Sequence, residues 1–158
     1  MLSGFVCLGT YQGGNIDVEM NTKSNMASHI KIQSLNMRGG RDRLKRRSVF
    51  EFLSRKNADV VFLQECHLLS ENLDAWKIDW GRGEIYANPL SSRSAGQVIL
   101  LKNTHKVLDH KIVMQGRIHL LKIDFSGSIF TLVNIYGPNK EAERKYFLNK
   151  LYDLCVSY

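Results

Sequence analysis

The sequence predicts an α+β domain in which helices cover one face of a mostly antiparallel sheet. Three observations carry that expectation. A strand–helix–strand pattern opens the organised region, five strand-like pieces with short breaks follow, and a last stretch returns to helical spacing. Segregated runs of helix and strand, rather than strict alternation, are the mark of α+β packing.

The first strand is HIKIQSLN, in which Ile30, Ile32, Ser34 and Asn36 alternate onto one face and the run ends in a polar residue. MRGG breaks the chain, and RDRLKRRSVFEFLSRKN resumes at helical spacing. Leu44, Val49, Phe52 and Leu53 are expected on its buried side, with Arg41, Arg43, Lys45, Arg46 and Arg47 opposite. ADVVFLQE is a short continuous apolar run, as in a strand covered on both faces. This order predicts an adjacent parallel pair with a right-handed crossover. From Trp80 onward EIYAN, QVILL, KVLDHKIVM, RIHLLKIDF and SIFTLVNIY read as strands, and Phe125-Ser126-Gly127-Ser128 reads as a tight hairpin turn. Asn139 to Leu154 is helical through Phe147, Leu148, Leu151 and Leu154. Residues 1–28 show neither period and are expected to form a flexible leader, leaving 29–158 as the domain. An alternating sheet has two faces and the helices account for one. At about 25 cal/mol per Å² of apolar surface, an uncovered face would forfeit several kcal/mol, so a further layer is expected.

A length of 158 residues, 44% of them hydrophobic and 23% charged, suits one folded domain and excludes a disordered chain. The net charge of +7 favours polyanionic partners, nucleic acid first. Cys7, Cys66 and Cys155 lack the number and spacing of a disulfide framework or a zinc site, and read as reduced thiols. No run approaches the roughly 20 apolar residues of a membrane span, and Met1 to Gly9 lacks the basic start of a signal peptide. No membrane partner and no secretion are expected.

Chemistry concentrates in three polar clusters at strand ends: Ser34-Leu35-Asn36-Met37-Arg38-Gly39, Leu63-Gln64-Glu65-Cys66-His67 and Asn134-Ile135-Tyr136-Gly137-Pro138-Asn139. Sheets gather ligand groups at such ends, so the clusters predict one shared site. Glu65 is either the first exposed residue after a buried strand or a hard oxygen ligand for Mg²⁺, which takes one or two protein carboxylates and completes its shell with water and phosphate. Asn36 either forms a turn or orients a carboxylate or phosphate oxygen. Tyr136 either packs or donates a hydrogen bond to phosphate. Asn139 either caps a helix or contacts DNA, and His67 binds backbone phosphate, titrates or, like most histidines, does neither.

In order along the chain, strand–SLNxRG, helix, strand–LQExH, S-x-x-AG-x-x-IL, a GR-led strand and strand–NIYxPN form a pattern that resembles the endonuclease/exonuclease/phosphatase superfamily. Within it, RGGRDRLKRRSVFEFL, LQECHL, Trp80-Gly81, Ser94-Ala95-Gly96 and NIYGPN are most similar to the endonuclease domain of non-LTR (long-interspersed) retrotransposons, from about Ile30 to the C-terminus.

The resemblance implies a deoxyribonuclease-like four-layer α/β/β/α sandwich, of which this chain carries the N-terminal half. It implies catalytic roles for Asn36, Glu65 and Tyr136, with Glu65 the metal ligand, and nucleic-acid contacts by Arg38, His67 and Asn139. The implied cofactor is Mg²⁺, with Mn²⁺ as an alternative, and the implied partner is duplex DNA. A nuclear or cytoplasmic location is expected from that partnership alone. The family's later Gly-Asp-x-Asn and Ser-Asp-His motifs do not occur in the sequence, and Asp124-Phe125 in KIDFSG does not replace them. The expectation is therefore a truncated metal-dependent DNA endonuclease, inactive alone, with the C-terminal half of the domain missing. A non-catalytic nucleic-acid-binding remnant is the alternative, its Arg41–Arg47 helix making salt-sensitive phosphate contacts. A third reading leaves that helix as a solvated basic face.

Overall fold

Among the described residues, alternating apolar side chains sort the strands into two sheets that cover one another. The computed structural model describes Ser3–Leu8 and residues 30–103 and 105–157. The elements are β1 (Ser3–Leu8), β2 (Ile32–Asn36), α1 (Arg43–Lys56), β3 (Val60–Gln64), a 3₁₀ turn (Ser70–Asn72), α2 (Leu73–Trp80), β4 (Gly83–Asn88), β5 (Gln97–Lys102), β6 (Lys106–Met114), β7 (Ile118–Phe125), β8 (Ser128–Tyr136) and α3 (Glu141–Val156). One sheet has the order β2-β3-β5-β4 and the other β1-β8-β7-β6. The β2–β3 pair is parallel, Asn36 opposite Gln64, and the remaining pairs are antiparallel.

Three apolar layers follow from strand alternation. Val60 and Phe62 of β3 face inward with Ile99, Leu101, Leu121, Ile123 and Leu132 to form the core between the sheets. Val61 and Leu63 face outward, against Phe50 and Leu53 of α1 and Trp76 and Trp80 of α2. Ile118, Leu120, Val133 and Ile135 lie on the outer face of the second sheet beneath Phe147 and Leu154 of α3. The arrangement is α/β/β/α, and every residue of β3 is buried because both of its faces are covered.

The expected fold class holds, with helices on one face of each sheet. The further layer that the sequence called for is the second sheet, already within this chain. Residues of one continuous β region divide between two sheets because β5 pairs with β3 and β4 with β5, whereas β6 pairs with β7 and β7 with β8. The hairpin between β7 and β8 is as expected, with Phe125 opposite Ser128 and both turn residues at positive φ, Ser126 at 51° and Gly127 at 81°.

Three expectations need correction. Within the leader expected over residues 1–28, Ser3–Leu8 is a strand hydrogen-bonded along β8, since SGFVCL carries enough β-forming residues to extend a sheet edge; residues 9–29 lie outside the described residues. In α1 the buried stripe is Arg46, Phe50 and Leu53 with Val49 partly covered, while Leu44 is 76% and Phe52 52% exposed. The helical phase is set by the i, i+4, i+7 series 46–50–53, and residues 44 and 52 fall off that stripe. Arg46, assigned to the solvated side, is buried: it donates to the Gly40 carbonyl and to Asp79 and lies over the Trp76 ring.

Candidate functional site at the converging strand ends

The C-terminal ends of β2, β3 and β8 meet at one rim of the sandwich, together with the starts of β5 and β7. Glu65 follows β3 directly and adopts a left-handed backbone, φ 50°, as do Arg38 at 49° and His67 at 52°. Three non-glycine residues in that sparsely allowed region within two adjacent loops mark a strained segment that its surroundings must hold in place.

The restraints are explicit. The Gly39 N–H donates to the Glu65 carbonyl at 2.7 Å and the Gly40 N–H to the Cys66 carbonyl at 2.8 Å. From the opposite side the Cys66 N–H donates to the Gly96 carbonyl and the His67 N–H to the Ala95 carbonyl, both at 3.0 Å. The Glu65–His67 segment is thus clamped between the Met37–Gly40 loop and the Ala95–Gly96 turn. Glycine is required at two of these positions: a Cβ on Gly39, whose φ is 91°, would sit 3.0 Å from the His67 ring, and one on Gly40 would lie 2.4 Å from Trp76.

Side chains converge within this frame. The Tyr136 hydroxyl donates to Glu65 Oε1 at 2.5 Å across the gap between the sheets. The Asn36 side chain acts on the same carboxylate to lower its pKa, and its Oδ1 accepts the Arg38 N–H at 3.0 Å. Burial alone would raise the Glu65 carboxyl, but the hydrogen bonds from Tyr136 and Asn36 and the charges of His67 and Arg38 outweigh it and leave it below its ordinary value. Glu65 is therefore an anion at neutral pH. The Tyr136 phenol is pushed up to about 12, by burial first and by the neighbouring carboxylate second, so it keeps its proton and remains a donor.

Of the residues singled out from sequence, Asn36, Glu65 and Tyr136 come together, and Arg38 and His67 flank them. Asn139 stands at the exposed start of α3, its carbonyl accepting from Arg144; its alternative reading as the helix cap is not borne out, because Lys140 occupies that position. Sequence reasoning assigned no role to Arg117, whose guanidinium lies 4.8 Å from the Tyr136 ring centroid and donates to the Gly137 carbonyl at 3.1 Å. The GR pair before β7 was its only signal.

Could these groups hold a metal? Among the described residues no cluster of three His, Cys, Asp or Glu side chains gathers, which excludes them as a closed site of the zinc kind. One ionised carboxylate with an amide beside it suits a hard, oxygen-ligated cation that keeps most of its water or takes phosphate oxygens, the mode of Mg²⁺.

No protein-family model matches the chain. It is 32% identical over 124 residues to the Transposon TX1 uncharacterized 149 kDa protein of Xenopus laevis, a match covering 77% of this chain and 9% of that protein. Among solved structures, TDP2 from Caenorhabditis elegans superposes with a TM-score of 0.59 at 17% identity, over 82% of this chain and 43% of that one. Humanized D. rerio TDP2 gives 0.57 at 18% identity, over 77% and 56%. D. rerio TDP2 complexed with a single-strand DNA product gives 0.56 at 15%, over 80% and 53%. The chain thus spans about half the length of these solved relatives and a small part of the transposon protein. The chain is thus similar in sequence to a part of that transposon protein and shares its fold with TDP2.

Proposed function

We propose that this chain is the metal- and phosphate-gripping part of a Mg²⁺-dependent DNA phosphodiesterase site. One observation carries the reading: the Tyr136 hydroxyl and Glu65 carboxylate, delivered by different sheets, meet at 2.5 Å. A bound Mg²⁺ would polarise a phosphoryl oxygen and stabilise charge on the leaving oxygen. Glu65 supplies the anionic oxygen that holds such an ion, with Mn²⁺ an acceptable substitute. Asn36 orients that carboxylate. Tyr136 keeps its proton and offers it as a hydrogen bond toward a phosphate or leaving oxygen. Arg38 and His67, beside the carboxylate, contact flanking phosphates of the duplex, and Asn139 at the exposed start of α3 extends that contact.

The polypeptide contains neither Gly-Asp-x-Asn nor Ser-Asp-His. By the family pattern it therefore lacks the groups that position and activate the attacking water, and the 158-residue chain is proposed to bind without cleaving. Nicking of supercoiled plasmid in Mg²⁺ tests this. No nicking is expected, and nicking that disappears in Glu65→Ala would overturn the claim of incompetence. A basic-helix binding remnant is less well supported, because Arg46 is buried and the exposed Arg43 is paired with Asp79, leaving Arg41, Lys45 and Arg47 as the exposed cations of that stretch outside the pair.

A further inference from the structure

Directly beneath Glu65 and Tyr136 lies a buried amide pair that the proposed chemistry does not use. Gln64 precedes Glu65 on β3, and Asn134 stands two residues before Tyr136 on β8; they are 1% and 0% exposed. The Gln64 amide Nε2 donates to Asn134 Oδ1 at 2.8 Å across the gap between the sheets. Asn134 Nδ2 in turn donates to the Leu63 carbonyl at 3.1 Å and the Val98 carbonyl at 3.2 Å, joining β8 to both β3 and β5. Gln64 is held from its other side by Ser34 of β2, through contacts of 3.1 and 3.4 Å. Buried polar groups carry a high cost unless satisfied. Here nearly all the capacity of two amides is spent tying together the three strands whose ends deliver Asn36, Glu65 and Tyr136.

We propose that Gln64 and Asn134 are positioning residues that set the separation of Glu65 and Tyr136 by bolting β3 to β8 immediately behind them. The inference rests on Glu65 and Tyr136 forming one site, as proposed above. The mechanism is mechanical. The apolar core between the sheets resists separation but is non-directional, so it leaves the relative slide of β3 and β8 weakly specified. A directional amide–amide bond fixes that slide at one point. It lies immediately behind the 2.5 Å contact that the two sheets' side chains make.

The test uses the full chain with tyrosine labelled at ¹³Cζ, a nucleus that senses hydrogen bonding of the phenol. The Tyr136 resonance is assigned by its loss in Tyr136→Phe. In metal-free protein at neutral pH it should move toward the position of exposed tyrosines in both Asn134→Leu and Gln64→Met. The double variant should move it no further than Asn134→Leu alone, because that substitution already removes the bond the two amides share. Leu132→Ala, which leaves a cavity in the core between the sheets on the same strand, should leave it in place. Should Asn134→Leu not fold, Gln64→Met reads the same link from the other side. In parallel, Mn²⁺ affinity measured by electron paramagnetic resonance should fall about 10-fold or more, the usual loss when a group supporting a ligand is removed.

A Tyr136 resonance unmoved in a folded Asn134→Leu or Gln64→Met chain would overturn the proposal. So would an equal movement in Leu132→Ala. If instead the resonance responds as expected while the unmodified chain binds no Mn²⁺, the positioning role stands and the metal reading fails.

Discussion

Removing the Asp79 carboxylate should cost more than any exposed ion pair in this fold and should loosen the site loop as well. Asp79 accepts from Arg46, and from Arg43 at 3.2 Å; the side chains of Asp79 and Arg46 are 2% and 6% exposed. Arg46 also donates to the Gly40 carbonyl at 2.9 Å, and the Gly40 N–H reaches the Cys66 carbonyl next to Glu65. In Asp79→Ala the guanidinium stays buried without its counter-charge. Breaking a buried pair from one side costs about 3–5 kcal/mol. Because Arg46 keeps its bonds to the Gly40 and Arg41 carbonyls and its place over the Trp76 ring, the lower end applies, about 3 kcal/mol. At about 2–4 °C per kcal/mol for a chain of this size, the melting temperature should fall by roughly 6–12 °C.

Urea and thermal unfolding followed by circular dichroism measure it. The companion variant Arg46→Met with Asp79→Leu removes both charges and should recover most of the loss. An Asp79→Ala chain within about 1 kcal/mol of the parent, or a double variant as unstable as the single one, would refute the reasoning. Acid should act on the same pair. Burial works to raise the Asp79 carboxyl, but the two arginines hold it below its ordinary value. Its contribution is therefore complete above the unfolded-state value of about 3.9 and fades as pH falls through the folded one.

Three further outcomes are expected. His119, fully buried in the Asn134 network, is pushed down to about 3, by burial first and by His110 second; the unfolded chain takes up that proton near pH 6.5, so stability is full above pH 6.5 and should fall by about 2 kcal/mol by pH 5. Urea midpoints at pH 7 and pH 5 check this, and His119→Gln should flatten the difference. Gly40→Ala, whose Cβ would meet the Trp76 ring at 2.4 Å, should destabilise by about 1–3 kcal/mol through overpacking, read as a lower urea midpoint. Retention of duplex DNA should weaken steeply between 50 and 200 mM salt, and Arg38→Ala should reduce the slope of that dependence by about one unit; no retention at low salt would remove DNA as a partner.

Much of this was legible in the residues. Period-2 runs marked β4 through β8, and the turn chemistry at Ser126-Gly127 located their last hairpin, because such signals are local. The polar strand ends named Asn36, Glu65 and Tyr136. Pairing between strands is not local, so one β region did not reveal two sheets, and the layer thought to be missing was present within it. α2 escaped notice because its eight residues bury only Trp76 and Trp80, too few to display a helical period. Arg46 was misread because a buried guanidinium looks like any other cation in a basic run until Asp79 closes over it. Gln64 and Asn134 stood in view within their clusters, yet a buried amide becomes informative only when its partner, 70 residues away, is known.

Mn²⁺ binding by the purified chain, with and without Glu65→Gln, bears most directly on the grip of these strand ends. The expected result is one bound ion per chain that disappears in Glu65→Gln and weakens in Tyr136→Phe, with all three chains equally folded. A parent chain that takes up no ion, or one whose binding is indifferent to Glu65, would contradict it.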